Sequence, residues 1–536
     1  MSTFTTPTKD LQRLWRSRLF FHLDGLALSG VVPVLDMSGV LDEALTTGGD
    51  VDELASLFGA NPGYLNVGLR MLCSQGVLDA HFGEDKVQYL PNNEEDVARW
   101  AQERELYGLG RRWLECCVGM WNRHDVPLDD EALEAMRQLL NVVVQRQTEG
   151  PHGEAAPVAG LCDRLTMHLE GALVAPWLVL LGTAFGTEPM LSWDDVTSAG
   201  SSLHPGLQEA WEEVMQALGW HQTEIGAFFL QRAAAYGVTT SYTQTFLWAK
   251  ELLLGDGAWL WRTEPGEPEI HVDRTLNVWG SGGAHQAYFS HLDKVVQDVF
   301  NAPLESQPLG LCDMGCGNGA LLLHMRDVIE TTTLRGQHLD THPLMLVGAD
   351  FNQEALVATA DHFRQKGVKG HFIWGDIGNP DQLALDLYEK HGVRLGDLMS
   401  VRSFLDHNRV YNPPILERPE APKSLGAFAF RGKRLKLRNV EQSLKEHLMK
   451  WSPYVAQHGL LMIELHTVAP VNAQKMQGRL PATAYDATHG FSDQYILEIP
   501  VFDAMAAEAG LQMDAESSRT FPSSLPATVS LRFFRA

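Results

Sequence analysis

The sequence is poor in cysteine, in basic residues and in long uninterrupted apolar runs. Its 536 residues include 6 cysteines without a regular spacing. This excludes a disulfide framework and favours reduced thiols. The N-terminal segment lacks the apolar core and cleavage site of a secretory signal peptide, and no run reaches the roughly 18 apolar residues that span a bilayer. We therefore expect a cytoplasmic protein that does not enter a membrane.

Basic side chains are outnumbered throughout the chain. There are 42 Lys and Arg against 67 Asp and Glu, which gives a formal net charge of -25. A surface of this sign repels the phosphates of nucleic acids and anionic lipid headgroups. The hydrophobic fraction of 45% is ordinary for a globular protein, and the length allows roughly two to four domains. We predict no nucleic-acid partner.

The first 100 residues have the pattern of a winged-helix module. Two helices, the second ended by Gly76, precede "LDAHFGEDKVQYLP", which predicts two short strands around a turn. DNA-binding modules of this kind need a basic face. Residues 1–100 contain 7 basic and 14 acidic side chains, and Arg70 is the one base on the second helix of the pair. We therefore expect this module to support dimerisation or to cover a substrate.

Two further regions follow. Residues 101–275 have mostly helical patterns, with breakers such as Gly150–Pro151, and are predicted to form a helical lid or substrate region. From residue 276 to 536, short apolar runs alternate with helix-length segments. This alternation predicts a parallel, doubly wound α/β sheet with a Rossmann-like arrangement. Such sheets bind ligands at the carboxyl ends of their strands.

A glycine-rich loop follows the first predicted strand of the sheet. In "LGLCDMGCGNGALLLHM" (309–325), Asp313 precedes Gly315, Gly317 and Gly319. The glycines let the backbone turn tightly and approach a ligand where a Cβ would clash. The pattern D-x-G-x-G-x-G resembles motif I of the class I methyltransferases, whereas a dinucleotide-binding loop reads G-x-G-x-x-G. The loop therefore predicts a site for S-adenosylmethionine (SAM).

Two more acids stand at the ends of the next two predicted strands. Asp350 ends "LMLVGAD" and is placed to bind the ribose hydroxyls. Its neighbours Phe351 and Asn352 are expected to contact the adenosine. In "HFIWGDIGNP", Asp376 is expected to accept from the adenine amino group and Ile377 to pack on the ring. The three acids are 37 and 26 residues apart, one in each βα unit.

Three further residues are assigned to the cofactor. Ser281 and Gly282 lie in "RTLNVWGSGGAHQAYF", just before the Rossmann-like domain's first strand, and are predicted to wrap the methionine end of SAM. Arg402 follows the fourth predicted strand, "GDLMSV", where a polar side chain reaches the ligand edge of the sheet.

Candidates for the reaction centre collect in three places. They are Asp406 with His407, Glu464 with His466, and the segment "YDATHGFSDQYILE" at 485–498. His407 or His466 could act as a general base that takes a proton from a hydroxyl. Alternatively, two histidines with a carboxylate or amide from different loops could hold a divalent metal that acidifies a carbon next to a carbonyl. We predict Asp406, His407 and His466 as catalytic residues.

Several blocks of the sequence look like polyketide-associated C-methyltransferases, among them the mononuclear-iron methyltransferase of the apratoxin loading module. The blocks are "RTLNVWGSGGAH", "DMGCGNGALL", "RSFLDHNR" and "DATHGFSDQYILE", with "YGVTTSYTQTF" upstream, and the resemblance covers about residues 190–536. It implies methyl transfer from SAM to the α-carbon of a malonyl-type thioester on an acyl carrier protein. It also implies a mononuclear Fe or Mn held by His466, His489 and Gln494.

Two other functions stay open at this point. The front module resembles the dimerisation module of small-molecule O-methyltransferases, which implies a homodimer and allows O- or N-methylation of a small acceptor. His407 or His466 would then be the base. The remaining alternative is a regulatory protein that binds the cofactor without catalysis.

Overall fold

The computed structural model describes residues 4–83, 85–149, 163–262, 269–524 and 526–535. The chain forms two compact units. The first unit comprises residues 1–284, 427–434 and 470–492, and the second comprises residues 285–426, 435–469 and 493–536. Each unit thus contains segments that are far apart in the sequence. The boundaries at residues 100 and 275 stay predictions.

The described helices are α1 (Lys9–Met37), α2 (Val40–Thr46), α3 (Val51–Phe58), α4 (Pro62–Ser74), α5 (Glu94–Glu103), α6 (Tyr107–Cys117), α7 (Asp130–Glu149), α8 (Arg164–Phe185), α9 (Trp193–Ser201), α10 (Pro205–Ala217), α11 (Glu224–Leu230), α12 (Ala234–Ser241), α13 (Thr243–Leu247), α14 (Ala249–Leu254), α15 (Arg274–Phe289), α16 (Asp293–Phe300), α17 (Ala320–Thr332), α18 (Gln353–Gln365), α19 (Pro380–His391), α20 (Leu437–Val455), α21 (Pro470–Lys475), α22 (Ala482–Gly490) and α23 (Ile499–Glu508).

The described strands are β1 (Gly49–Asp50), β2 (Leu78–Phe82), β3 (Val87–Pro91), β4 (Gly310–Met314), β5 (Met345–Asp350), β6 (His371–Trp374), β7 (Leu398–Ser403), β8 (Ala429–Phe430), β9 (Lys433–Arg434), β10 (Leu460–Leu465), β11 (Gln512–Met513), β12 (Arg519–Phe521) and β13 (Val529–Arg535). Strands β1–β3 and β8–β9 belong to the first unit, and the others belong to the second.

The N-terminal part of the first unit contains the predicted helix pair and hairpin. Helix α3 begins after Asp50, whose carboxylate accepts hydrogen bonds from the N–H groups of Asp52 (3.0 Å) and Glu53 (3.4 Å). Helix α4 begins with Pro62, which suits the first turn because its missing N–H is not needed there. Strands β2 and β3 form an antiparallel hairpin, and β1 pairs with β3. These elements have the order of a winged helix.

Helices α1 and α8 form the centre of the first unit's core. They approach closely at glycines: a Cβ on Gly25 would lie 2.2 Å from the carbonyl oxygen of His168, and one on Gly171 would lie 2.2 Å from the Cα of His22. Both helices are long and apolar enough to cross a membrane by length and composition alone. Their apolar stretches are 83% and 100% buried inside the fold, as in core helices, so this is weak evidence for a membrane span.

The second unit is built around an eight-stranded sheet. Strands β6, β5, β4, β7 and β10 lie side by side and are parallel, as predicted. The edge beyond β10 differs, because β13 pairs with it antiparallel and β11 and β12 pair with β13. Only 7 residues connect β12 to β13, too few for the crossover that parallel neighbours need, so these two strands run antiparallel. The α/β fold class is confirmed, with an antiparallel edge added.

The register of the sheet brings the predicted site residues to one edge. In the parallel ladder, Asp313 lies opposite both Gly348 of β5 and Val401 of β7. The carboxyl ends of β4, β5 and β7 therefore reach the same side. Beneath them, Leu311, Leu322 and Val401 are fully buried in the unit's core.

Candidate functional site

The glycine loop after β4 has a backbone that only glycine adopts at low cost. Gly315, Gly317 and Gly319 have φ values of 77°, 55° and 76°. The N–H groups of Gly315 and Cys316 donate to the carbonyl of Ala349 on β5, at 2.8 and 3.1 Å, and anchor the loop. A Cβ added at Gly317 would meet no atom within 4 Å. The loop thus presents bare backbone to open space.

Asp350 is fixed beside this loop. Its Oδ2 accepts a hydrogen bond from the N–H of Gly317 (3.0 Å), and its Oδ1 accepts one from the N–H of Asn352 (2.9 Å). Asn352 in turn caps α18 by accepting from the N–H of Glu354 (2.8 Å). The structure therefore brings Asp350 and Asn352 together with the glycine loop, as the sequence predicts.

The third strand end adds an apolar surface. The Trp374 indole N–H donates to the carbonyl of Phe351 (3.0 Å), and the two rings lie 5.4 Å apart. Phe351 is 66% exposed, so its ring is accessible to a ligand at this edge of the sheet. Asp376 accepts from the N–H of Gly378 (2.7 Å), and the neighbouring Ile377 is buried.

Asp313 is buried at the end of β4 with one unsatisfied oxygen. Within the described part of the chain, its Oδ1 has no hydrogen-bond partner. Burial, reinforced by the negative charge of Asp350, raises the pKa of Asp313 to about 8. A buried carboxyl oxygen of this kind suits an ammonium donor. The orphaned oxygen of Asp313, the glycine cradle and the strand-end carboxylate of Asp350 together fit SAM, with its amino-acid end toward Asp313 and its ribose toward Asp350.

Ser281 and Gly282 lie in a helix rather than in the expected loop. They belong to helix α15, in the part of it that falls in the first unit, whereas the glycine loop belongs to the second. The glycine-rich stretch serves helix packing, because a Cβ on Gly280 would lie 2.7 Å from the Cα of Gly237. The expected wrapping segment is therefore a helix, and the cofactor role of Ser281 and Gly282 stays a prediction.

Arg402 belongs to a buried charge cluster at the ends of β7 and β10. Its guanidinium lies 4.0 Å from the centre of the Trp451 ring, and its Nη1 donates to Oδ1 of Asp406 (2.6 Å). Trp451 in turn donates to the carbonyl of Ile377 (2.8 Å), next to the expected adenine site. The contacts of Arg402 thus serve the reaction centre, and its prediction as a direct cofactor ligand stays untested.

Asp406 is the anion of this cluster. Its Oδ1 also accepts from Nε2 of His447 on α20 (3.0 Å). Burial alone would raise the pKa of Asp406, but the charge of Arg402 and the bond from His447 outweigh it and lower the pKa to about 2. The carboxylate therefore stays ionised and holds the turn at 406–408.

His407 is held by Glu464 of β10. Its Nδ1 lies 2.5 Å from Oε1 of Glu464, and both side chains are buried. Oε2 of the same carboxylate accepts from the N–H groups of Asp406 (2.8 Å) and His407 (3.2 Å), and Oε1 accepts from Leu465 (2.7 Å). Because a carboxylate only accepts, we assign the proton to Nδ1, which places the lone pair of the ring on Nε2.

His466 does not join this pair. Its Nδ1 donates to the carbonyl of Leu497 (2.9 Å), and its Nε2 accepts from the hydroxyl of Ser530 (2.7 Å). Burial lowers the pKa of His466 to about 3, so the ring is neutral. With both ring nitrogens in these bonds, the structure does not support His466 as a base or as a metal ligand.

The other two expected metal ligands are His489 and Gln494. His489 lies in α22 of the first unit, where its Nδ1 donates to the carbonyl of Tyr485 (2.7 Å), and Gln494 lies in the second unit. Among the residues that the structure describes, no group of three or more His, Cys, Asp or Glu is arranged to hold a metal ion. Because both ring nitrogens of His466 are engaged, the structure gives no support to a mononuclear iron or manganese at these residues, and the metal site stays a prediction.

Sequence reasoning missed His447 and Trp451 altogether. Both lie on the buried face of α20, with Leu444 and Leu448, at the helical spacing i, i+3, i+4 and i+7. A histidine inside an otherwise apolar stripe was the available signal. Glu464 was noted beside His466, and the structure shows that its partner is His407 instead.

Three protein-family models match three separate parts of the chain. The AprA MT2-like domain family matches residues 269–532, the AprA N-terminal domain family matches residues 15–80, and the AprA winged helix domain family matches residues 170–256. The last match falls in the region predicted as a helical lid, where the described residues form helices α8–α14. No curated protein sequence matches the chain significantly.

Solved structures show only distant similarity. The CurJ carbon methyltransferase is 12% identical, with 96% of this chain and 92% of that chain covered and a TM-score of 0.39. An O-methyltransferase family 2 protein from Planctomyces limnophilus is 12% identical, with 100% and 99% covered and a TM-score of 0.35. Human N-acetylserotonin methyltransferase has the same identity and coverage and a TM-score of 0.26. These scores are too low to carry an argument about the site. The AprA domain matches and the strand-end geometry together show a SAM-dependent methyltransferase whose domains are similar to those of the AprA type.

Proposed function

We propose that this enzyme methylates the α-carbon of a malonyl-type acyl thioester carried by an acyl carrier protein. The observation that carries the proposal is the buried His407–Glu464 pair at the ligand edge of an AprA-type methyltransferase domain. The resemblance of the site blocks to polyketide-associated C-methyltransferases supports carbon as the acceptor atom. A cytoplasmic homodimer is part of the same proposal.

The protein's own residues account for the proton transfer. Glu464 orients the imidazole of His407 through Nδ1–H, so Nε2 can accept the proton from the α-carbon. The carboxylate then stabilises the imidazolium that forms, as the acid does in other carboxylate–histidine pairs. Asp406, fixed by Arg402 and His447, holds the turn that carries His407. When bound, SAM supplies the methyl group and leaves as S-adenosylhomocysteine (SAH).

The proton transfer from the α-carbon to His407 requires no metal. The metal-assisted form of the reaction requires His466 to give up its bonds to Leu497 or Ser530 before it could bind an ion. A base held by a carboxylate provides the deprotonation with the groups already in place.

O- or N-methylation of a small acceptor is the second candidate, because the same histidine pair could take a proton from a hydroxyl. The two are separated by an acceptor panel: malonyl and methylmalonyl thioesters on a carrier protein against phenols and amines, followed by mass spectrometry with SAM present. We expect methylated acyl carrier protein, formed at least about 100-fold more slowly with His407→Ala. Methylated phenol or amine with an unmodified thioester would favour the second candidate.

A further inference from the structure

Arg409 is a buried cation two residues after the proposed base. It is 3% exposed, although Asn408 and Val410 on either side are exposed, so its side chain turns inward beneath a surface segment. Its Nη1 donates to the carbonyl of Asp406 (3.0 Å), which belongs to the peptide bond that joins Asp406 to His407. The guanidinium thus lies next to the backbone of the base.

The guanidinium of Arg409 keeps donors unused. Its carbon lies 5.5 Å from the centre of the Tyr495 ring, and the N–H of Tyr495 donates to the carbonyl of His407 (2.8 Å). In the described part of the chain, Nε and Nη2 of Arg409 have no hydrogen-bond partner. Burying donors of a charged group without partners is costly, and proteins keep such groups where a ligand completes them.

Nε and Nη2 of Arg402 also have no partner among the described residues, but not every buried arginine of this unit keeps donors unused. Arg335 is 2% exposed, and its guanidinium donates to Oε1 of Gln307 (2.9 Å) and to the carbonyls of Pro308 (2.9 Å) and Pro343 (3.5 Å). All three of its nitrogens are therefore used. The hydrogen bonds of Arg335 are all made within the protein, whereas two nitrogens of Arg409 have no acceptor in the described part of the chain.

The charges of the cluster point to the missing partner. In formal charge at neutral pH, the cations Arg402 and Arg409 balance the anions Asp406 and Glu464. When His407 accepts a proton, the cluster gains one positive charge. An anionic oxygen that forms in the same step restores the balance, and donors that already point at such an oxygen stabilise it most in a site without water.

On the basis of the proposed function, we propose that Arg409 binds the enolate oxygen of the acyl group while His407 removes the α-proton. The C–H bond breaks, its proton goes to Nε2 of His407, and its electron pair forms the carbon–carbon double bond of the enolate. The carbonyl π pair moves to the oxygen, which accepts hydrogen bonds from Nε and Nη2 of Arg409. The enolate carbon then bonds to the methyl group of SAM, the carbonyl re-forms, and the sulfur keeps the electron pair of its broken bond.

The test measures proton removal apart from methyl transfer. Protein saturated with SAH in D2O is given the malonyl thioester of N-acetylcysteamine, and exchange of its α-hydrogens is followed by mass spectrometry; methyl transfer from SAM to the same probe is measured in parallel. Arg409→Met should lower both rates about 100-fold or more, the usual effect of removing an oxyanion donor. Arg409→Lys, which keeps the charge but loses the fork of donors, should recover part of the loss.

Stability distinguishes this role from a structural one. Arg409→Met should lower the Tm by less than Arg335→Met does and keep the SAH affinity of the wild type, because it removes one bonded donor, Nη1, and two unpaired ones. Arg335→Met should lower the Tm, because it removes paired ones, and leave both rates unchanged in the folded protein. The proposal is overturned if Arg409→Met reacts at the wild-type rates or loses as much Tm as Arg335→Met. A wild type that neither exchanges nor methylates the probe would instead remove the proposed function, and this assignment with it.

Discussion

Each unit of this enzyme buries a histidine against a glutamate, but the two pairs are built differently. In the first unit, Glu170 accepts from Nε and Nη2 of Arg18 (2.6 and 2.5 Å) and from Nε2 of His22 (3.1 Å). Nδ1 of His22 accepts from the hydroxyl of Tyr236 (2.7 Å). In the second unit, Glu464 is held by backbone N–H groups and by His407.

The difference shows that the carboxylate's other partners decide what the histidine does. The guanidinium of Arg18 neutralises Glu170, and both ring nitrogens of His22 are hydrogen-bonded. Arg18, His22, Glu170 and Tyr236 therefore tie helices α1, α8 and α12 together, and we call this buried group the lock of the first unit. Burial lowers the pKa of His22 and keeps it neutral. Within the described part of the chain, no arginine forms a bidentate pair with Glu464, so its charge remains to stabilise a proton on His407.

The largest expected effect is on the catalytic pair. His407→Ala should lower kcat by about 10²- to 10⁴-fold, the range for loss of a general base, with the affinity for SAH unchanged in calorimetry. His22→Ala should leave the kcat of the folded protein unchanged and lower its Tm. A His407→Ala enzyme with kcat within a few-fold of the wild type would contradict the catalytic role of the His407–Glu464 pair.

The next effect is on the lock of the first unit. Glu170→Ala leaves the guanidinium of Arg18 buried without its partner, which should cost about 3–5 kcal/mol in the free energy of unfolding measured with urea. Glu213 pairs with Arg137 on the surface, and Glu213→Ala should cost less than about 1 kcal/mol. Equal losses in the two variants would mean that the buried pair is no lock.

Two glycine variants in the cofactor loop of the second unit should have opposite main effects, one on stability and the other on SAH binding. Gly319→Ala places a Cβ 2.8 Å from Cγ2 of Thr359, so it should lower stability by more than Gly317→Ala does. Gly317→Ala meets only the cost of its positive φ, about 1 kcal/mol, but its methyl group enters the open space beside the loop. It should therefore weaken SAH binding by about tenfold or more. Unchanged SAH affinity in Gly317→Ala would move the cofactor away from this loop.

Asp313 gives the cofactor site a pH dependence that the lock of the first unit lacks. With its pKa raised to about 8, the carboxyl is mostly protonated at pH 7. An ammonium group favours the carboxylate, so binding lowers this pKa and releases a proton. SAH affinity should therefore rise with pH, by up to about tenfold per unit, and level off above pH 8. Asp313→Asn should flatten this profile in calorimetry; an unchanged slope would assign the proton elsewhere.

The smallest expected effect is that of chelation. Because the ring nitrogens of His466 are engaged, dialysis against EDTA should leave kcat within about twofold of the untreated enzyme. Loss of activity that Fe²⁺ or Mn²⁺ restores would revive the predicted metal site and shift the centre of catalysis away from His407 and Glu464.

Local patterns made much of the cofactor site predictable. The glycines after β4 and the acids at the ends of β5 and β6 are each followed directly by a helix. One short segment of sequence therefore predicts the strand, the turn and the ligand-binding residue together. The glycines around Ser281 form a helix instead of the expected loop, because glycine serves close helix packing as readily as a loop, and the cofactor role of Ser281 and Gly282 stays a prediction. The pairing of Glu464 with His407 and the contribution of His447 depend on elements 40 or more residues apart, and no local pattern encodes them.

The central claim is that the methyl group is bonded to carbon with His407 as the base. Transfer from SAM labelled with ¹³C in its methyl group to a malonyl acyl carrier protein, followed by NMR of the product, tests it most directly. We expect a labelled methyl group attached to the α-carbon, formed at least about 100-fold more slowly with His407→Ala. A label on oxygen or nitrogen, or an equal rate with His407→Ala, would contradict it.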